Sequence, residues 1–512
     1  MGFFSPKVRS GFLRVGAAFN GARALRQFKN WISSRGSPDG EIIKDLAQLR
    51  YRCRDLHKNN AIARAAEEAI IRNVVGPGLK MQTAIDYATL SRELNISIED
   101  AEKLADDFEQ KIESAWHAYY NSTACDARGV SDGPEKTRLT LSSVLQSGDV
   151  FATFPRVNGF PRLGLIEADQ VQNELGKSST SALRDGVQVD ENGAPLGYWI
   201  NTNQEQWPQN MVFVPKYGKE SGRAMILHLF REERPGQNRG IPWVAPVIEQ
   251  LKNLDGYEKS EITAALVSSF LTYFIKKPVG ASGAMLPGAQ NDAEESLGPD
   301  FQAGPAAMLE LPAGWDVVAN NPARPNTNAV GFIESALKKI GSALGVPFEM
   351  LLSHYTTSFT SARAARIEFW KTVLVWRSWL TENFLRVWYE EFLTDAVIAG
   401  RVNAPGFFES ETLRRAWSGA NWFGPSLGQI NEKVETDAIQ TVIALGGKSA
   451  TAAFAEAYGT DYEDTVRALK REQKFREKHG VKLSIDETTK PMDNTATDNL
   501  AVGDQIDLFQ NT

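Results

Sequence analysis

The sequence predicts an α+β protein that is mainly helical, and three observations carry that expectation. At 512 residues the chain exceeds what one ordinary core organises, so two or three structural regions are expected. Two stretches, Pro246 to Lys277 and about Ser361 to Ala399, keep helical patterning well beyond the usual helix length. Between Asp149 and Phe230 the pattern changes to short runs rich in β-branched and aromatic residues.

Residues 1–39 form a basic arm that the composition predicts to be flexible. Lys7, Arg9, Arg14, Arg23, Arg26, Lys29 and Arg35 precede the first acid, Asp39, so the formal charge of −7 divides into +7 before Asp39 and −14 after it. Such an arm reads equally as a nucleic-acid or partner contact and as a plain tail; an Arg-rich, acid-free start also has the look of a transit peptide. Helical pattern follows from Glu41 to Val75, with Ile42, Ile43, Leu46 and Leu49 on one face. Its second stretch, Ala61 to Val75, is closed by Gly76-Pro-Gly78. Ser97, with Glu99 and Asp100 behind it, supplies a cap and favourable charge for a helix to about Tyr120. The β-type runs are Val150 to Phe154, Leu163 to Ile166, Gly186 to Asp190, Tyr198 to Ile200, Met211 to Val214 and Ala224 to Phe230. Glu191-Asn-Gly193 marks a hairpin, because Asn-Gly tolerates the positive φ angles of a tight turn.

A Pro/Gly-rich turn launches the helix at Pro246, where the missing N–H costs nothing, and Pro278 ends it; at 1.5 Å per residue it would be about 48 Å long. A Gly/Pro-rich interval to Pro325 then contains apolar Ala306 to Leu311 and Trp315-Asp-Val-Val318. Val330, Ile333, Leu337, Ile340 and Leu344 make a narrow stripe on the next helix, stopped by Gly345-Val-Pro347, with Glu334 and Lys338 paired on the exposed side. The helix from Ser361 carries Phe369, Trp370, Trp376, Trp379, Phe384, Trp388, Tyr389 and Phe392 around much of its circumference. Burial on several sides is therefore required, by one domain's own core or by neighbouring subunits. Two helices linked by Gly446-Gly447 span Leu427 to about Lys478. The stretch beyond Lys482 is polar, acidic and predicted to be disordered.

Searches for chemistry return little. Ile262 to Ile275, the longest uncharged apolar run, has 14 residues against the roughly 20 needed to span a bilayer. Cys53 and Cys125 lie far apart, which supports neither a disulfide framework nor a zinc site. The acidic body argues against gripping nucleic acid by counterion release and suits both a repulsive conduit and plain solubility. Leu445-Gly-Gly-Lys-Ser449 has the end of a phosphate-binding loop, but its first glycine would fall at Val442 and no strand precedes it. His57, His117, His228, His354 and His479 show no metal-ligand spacing. The adjacent acids Glu67-Glu68, Asp106-Asp107 and Glu294-Glu295 are expected on solvated faces. Neither catalytic residues nor a cofactor or metal site is predicted.

Long ordered phrases carry a resemblance over about residues 40 to 475. They include Asp55-Leu-His-Lys-Asn-Asn60, Asn73-Val-Val-Gly-Pro-Gly78, Phe230-Arg-Glu-Glu-Arg-Pro-Gly236 and Gly314-Trp-Asp-Val-Val-Ala-Asn-Asn-Pro322. Gly341-Ser-Ala-Leu-Gly-Val-Pro-Phe-Glu-Met350, Tyr355-Thr-Thr-Ser-Phe-Thr-Ser-Ala-Arg-Ala-Ala365 and Ala416-Trp-Ser-Gly-Ala-Asn-Trp-Phe-Gly-Pro425 extend it. In these phrases the chain resembles the lambda-type portal proteins of tailed bacteriophages. The resemblance implies a non-enzymatic ring of about twelve copies at one capsid vertex, through which double-stranded DNA passes during packaging and ejection. It further implies a virion location and, as partners, the terminase large subunit, a head–tail connector protein, a major capsid or scaffold protein, and DNA held without sequence preference.

Mapped by order, residues 40–245 and 361–426 would be a wing, 246–277 and 328–352 the two stem helices, 278–327 a clip, 427–480 a crown and 481–512 an acidic tail. Segment 353–360 falls where portals place a DNA-touching tunnel loop, giving His354, Tyr355, Thr356, Thr357, Ser358, Phe359 and Thr360 as candidate contacts. In the clip, Trp315, Pro322 and Arg324 become candidate partner contacts, with Trp315 also open to packing between subunits. Small residues on the stem (Ala264, Ala265, Gly331, Ala336, Gly341) would permit close packing in a ring. A nucleic-acid-processing enzyme and a monomeric tail or structural protein remain the competing classes.

Overall fold

The computed structural model describes residues 36–173, 177–203, 210–269, 273–276, 316–319, 329–354, 358–428 and 432–458, with single positions between 462 and 476. Helix α1, Pro38–Asn59, opens on Ser37, whose Oγ accepts from Gly40 N–H at 3.1 Å. Helix α2, Ala61–Val74, opens on Asn60, whose side chain accepts from Ala63 N–H. The chain turns away after α2 because Gly76 adopts a φ of +56° beside Pro425, where a Cβ would sit 2.4 Å from the proline ring. Strand β1 (Lys80–Thr83) and α3 (Tyr87–Leu94) lead to α4, Ile98–Tyr120, capped by Ser97 as expected. Helix α5, Gly133–Ser147, has no counterpart among the sequence expectations. Its polar positions Lys136, Thr137 and Thr140 are buried, which breaks the amphipathic pattern by which a helix is recognised.

The β region contains each expected strand. Strands β2 (Asp149–Thr153) and β5 (Gly164–Glu167) flank a small hairpin of β3 (Arg156–Val157) and β4 (Phe160–Pro161). Strands β6 (Leu183–Arg184), β7 (Val187–Val189), β8 (Pro195–Asn201) and β9 (Met211–Pro215) form a second sheet in sequence order; β10 (Ile226–Phe230) returns to pair with β2. At the β7–β8 turn only Gly193 has positive φ, +85°, while Asp190 Oδ1 accepts from Asn192 and Ala194 N–H. An aspartate-braced turn thus replaces the double positive-φ turn expected of Asn-Gly. Phe151, Val171, Val187, Tyr198, Ile200 and Ile226 form the apolar seam between the sheets.

Helix α6, Ile248–Ser269, follows a short 3-10 turn at Ala245–Val247 and is shorter than expected: about 33 Å at the helical rise. Residues Tyr273–Lys276 form strand β11, paired antiparallel with β12, Asp316–Ala319, through Tyr273↔Ala319 and Lys276↔Asp316. The Tyr-Phe-Ile run has high strand propensity and finds a complementary Val-Val run on β12, so pairing wins over helix continuation. Helix α7, Ala329–Leu344, keeps the expected stripe and the Glu334–Lys338 pair at 3.4 Å, and ends where Gly345 takes φ +67°.

After the short α8, Phe348–Leu352, comes the long helix as two α segments, α9 (Phe359–Leu380) and α10 (Arg386–Ile398), joined by a π turn at Thr381–Leu385. Its aromatic girdle is absorbed within the chain. Phe369, Trp376, Phe384, Trp388, Tyr389 and Phe392 are buried, and Trp116 of α4 lies 5.3–5.8 Å from the Trp388, Tyr389 and Phe392 rings. Trp388 Nε1 donates to Tyr119 Oη at 2.9 Å, which donates to Pro161 O at 2.7 Å. Neighbouring subunits are therefore unnecessary to cover these rings. Helix α11 (Glu411–Trp417) leads to β13 (Ala420–Phe423), which pairs with β1 and closes the body. The paired helices α12 (Glu432–Ala444) and α13 (Ala450–Tyr458) follow, linked at Gly446 with φ +70°.

Candidate nucleic-acid interface

The Ser/Thr-rich connector lies between α8 and α9, and its ends are built by local rules. Ser353 stops α8 with φ +50°, and His354 N–H donates to Glu349 O at 3.0 Å. Ser358 caps α9, accepting from Ser361 N–H at 3.4 Å. His354, Ser358 and Thr360 are exposed, so polar groups from both ends of the connector face solvent. Tyr355, Thr356 and Thr357 and the Phe359 side chain lie outside the described residues, as do Trp315, Pro322 and Arg324. Two cations missing from the sequence candidates flank the segment: exposed Arg363, and Arg366, which donates to Leu427 O. Their position within two turns of the Ser358 cap was the available signal.

Groups resembling catalytic machinery resolve into structural pairs. Cys53 sits one turn before His57 on α1, and His57 Nδ1 lies 2.6 Å from Glu67, an order of thiol, imidazole and carboxylate that superficially suits nucleophilic catalysis. The thiol is buried, and burial followed by the Glu67 charge pushes it up to about 12, the reverse of activation. Glu67 is not on a solvated face as expected; it is buried and accepts from Ser142 Oγ and Gln146 Nε2, each at 2.7 Å. Its neighbour Glu68 and the pair Asp106 and Asp107 are exposed; Glu294 and Glu295 lie outside the described residues.

A larger ionic cluster centres on fully buried Asp149 at the start of β2. Arg239 Nε meets Asp149 Oδ2 at 2.7 Å, Arg50 Nη2 meets Oδ1 at 3.0 Å, and His228 Nε2 lies 3.3 Å from Oδ2. Burial would raise this carboxyl, but Arg239 and Arg50, then His228, hold it far below the usual carboxylate range. His228 is lowered as well, but by burial, which the Asp149 contact only partly offsets because two guanidinium groups already neutralise the carboxylate. Arg239 also donates to Val171 O and Ala168 O, both at 2.8 Å, so the cluster clamps the loop after β10 to both sheets and α1. On the opposite side, Glu391 and Asp395 of α10 hold Arg156 at 2.5 and 3.0 Å and Arg223 at 2.7 and 2.5 Å. Each buried charge is thus committed to another.

Gly446-Gly-Lys-Ser449 is the α12–α13 turn, where Lys448 pairs with Glu456 and Ser449 Oγ accepts from Ala452 N–H at 3.2 Å. Helix α12 rather than a strand leads into this turn, so it lacks the strand-to-helix geometry of a phosphate cradle. Among the described residues no group of three or more His, Cys, Asp or Glu is arranged to hold a metal ion. No described helix is long and apolar enough to cross a membrane.

Residues 25–377 match phage portal protein, lambda family. The chain belongs to the lambda family of phage portal proteins. The portal protein of Escherichia phage N15 is 24% identical over 504 residues, covering 93% of this chain and 92% of that protein. Portal protein B of Escherichia phage lambda is 23% identical over 509 residues, covering 94% and 92%. A chain from the neck of an empty GTA particle has a TM-score of 0.47 at 14% identity, covering 79% of this chain and 90% of that one. Another, from the virion of a native gene transfer agent particle, has 0.46 at 14%, covering 80% and 92%. The family is a structural one, in keeping with the inactive arrangement of the groups that could have passed for an active site. The portal match ends within α9, so the second half of the aromatic helix and α12–α13 lie beyond it; the N15 and lambda relatives extend the likeness there.

Proposed function

We propose that this portal protein forms a closed ring at one vertex of a phage capsid. In the ring it serves as a conduit for double-stranded DNA during packaging and ejection, and as the docking platform for the terminase large subunit and later the head–tail connector. Contact with the major capsid or scaffold protein, a virion location and the absence of any enzymatic activity complete the reading. Beyond family membership, the observation that carries it is a pair of helices with apolar side chains facing outward. Helices α6 and α7 meet at the Tyr257 and Phe332 rings, 4.9 Å apart, yet Ile262, Leu266, Val330 and Phe332 are 61, 57, 67 and 56% exposed. Surfaces of this kind mark association sites, and a head-to-tail repeat of the same contact closes into a ring. The β11–β12 ladder at the base of the insertion between the two helices supports a clip projecting from the stem. The exposed polar ends of the 353–360 connector support a tunnel loop that touches DNA through weak, sequence-independent contacts, with the clip contacts assigned to Trp315, Pro322 and Arg324.

Native mass spectrometry of the purified protein tests the ring: a closed oligomer of about twelve copies is expected without nucleotide or metal. Ile262→Glu with Phe332→Glu should shift it toward monomer while leaving the fold intact by circular dichroism. Lys448→Ala should leave packaging unchanged. A wild-type protein that stays monomeric at micromolar concentration would exclude ring formation by this chain alone, and ATP hydrolysis lost with Lys448 would exclude the non-enzyme reading.

A further inference from the structure

Helices α12 and α13 meet the start of the long helix across a pocket of about 350 Å³. Its walls are Trp370 of α9, Leu427 and Gly428 before α12, Ile439 and Val442 of α12, and Ala453 of α13; Arg363, Lys448 and Glu456 stand among them. Val442 is 39% exposed, and the pocket falls within the size range of sites that take a few apolar groups. Beyond α13 the sequence carries two stretches of opposite charge in succession. Residues 465–482 carry seven Lys and Arg against Glu472 and Glu477, whereas residues 483–512 carry six Asp and Glu against Lys490 alone. The densest apolar group in that acidic stretch is Ile506, Leu508 and Phe509, with Asp507 among them and Asp504 just before.

We infer that the Asp504–Phe509 segment of the chain docks into this pocket, with Ile506, Leu508 and Phe509 against Trp370, Leu427, Ile439 and Val442. Asp504 and Asp507 lie toward Arg363 and Lys448. Length permits it: about thirty residues separate Arg476 from Ile506, and a polar linker of that length spans about 30 Å root-mean-square. Charge favours it, because Arg363 and Lys448 stand at the pocket and a −5 stretch bears the occupant. Tethering raises the local concentration of the segment to about the millimolar range, so a weak contact suffices. Lys448 meets Glu456 in the turn, so the docked carboxylates share an existing ion pair. The consequence is a strap that fastens α12–α13 to α9. In a ring the same chemistry also allows the segment of one copy to reach the pocket of the next.

Amide hydrogen exchange of the full-length protein provides the test, against a chain lacking residues 500–512 and a full-length Leu508→Ser/Phe509→Ser variant. Both variants should exchange faster by about tenfold in α12, α13 and the first turns of α9, with the β region unchanged. A synthetic peptide of residues 500–512 should restore protection to the shortened chain saturably and less well at high salt, and the peptide with both serines should not. Val442→Asp in the shortened chain should abolish the restoration while the fold is retained by circular dichroism. Unchanged exchange at α12–α13 in both variants overturns the inference, as does a peptide that protects a different surface.

Discussion

At the scale of single residues, the chain pairs its buried charges rather than exposing them to a substrate. His228 is the member with a measurable consequence. Its folded-state pKa is lowered, by burial above all, while the unfolded chain takes up a proton near the ordinary value of about 6.5. The unfolded state therefore binds more protons below that value, and the associated stability is present above about pH 6.5 and lost as pH falls. Asp149 is depressed, so its contribution holds above the unfolded carboxylate value of about 3.9 and is lost only as pH falls further. His228→Gln should lower stability at neutral pH by about 1 kcal/mol and flatten its decline between pH 6.5 and 4.5. Urea-unfolding midpoints across that range check this, and an unchanged slope would show that another group titrates. The sequence displayed Arg50, Asp149, His228 and Arg239 far apart, with no spacing to link them; the pairing of β10 with β2 brings His228 to Asp149, and the packing of α1 and the loop after β10 brings Arg50 and Arg239.

At the scale of elements, caps and breakers were legible, whereas the partner of each face was not. Ser97 and Gly345 act where the local rules place them, because a cap satisfies groups within one turn. The end of α6 was misread because a strand needs a partner remote in sequence, and Asp316–Ala319 supplies it. Two stem glycines expected to serve one purpose divide. A Cβ at Gly341 would lie 2.5 Å from Val346 O, so that glycine serves the chain's own turn, while Gly331 faces open space. Gly341→Ala should therefore lower the melting temperature of the unassembled chain. Gly331→Ala should raise its stability by about 1 kcal/mol through helix propensity, and differential scanning calorimetry separates the two. In the connector, Thr357→Trp with Ser358→Trp should leave ring formation intact and reduce the length of packaged genome. Full-length packaging at the wild-type rate by such rings would remove the tunnel role.

At the scale of the whole molecule, α6 and α7 join the main core through Leu251, Leu254, Leu337, Ile340 and Leu344 and leave Ile262, Leu266, Val330 and Phe332 exposed. Deleting residues 281–300 should impair binding of the terminase motor or the connector more than folding or ring closure, as read by pull-down with assembled rings. Unchanged motor binding would remove the clip assignment. The family, the mainly helical class, the strand-rich middle and the order of elements were all available from sequence, because they rest on periodicity, turn chemistry and long ordered phrases that survive without coordinates. What burial does with the aromatic helix was not: the same girdle suits a lone core or a subunit interface. Only the packing of Trp116 against Trp388, Tyr389 and Phe392 decided that the chain covers its own rings, leaving the outward apolar side chains to α6 and α7. Periodicity reports that a face must be buried; which surface buries it is a long-range contact, and that belongs to tertiary structure.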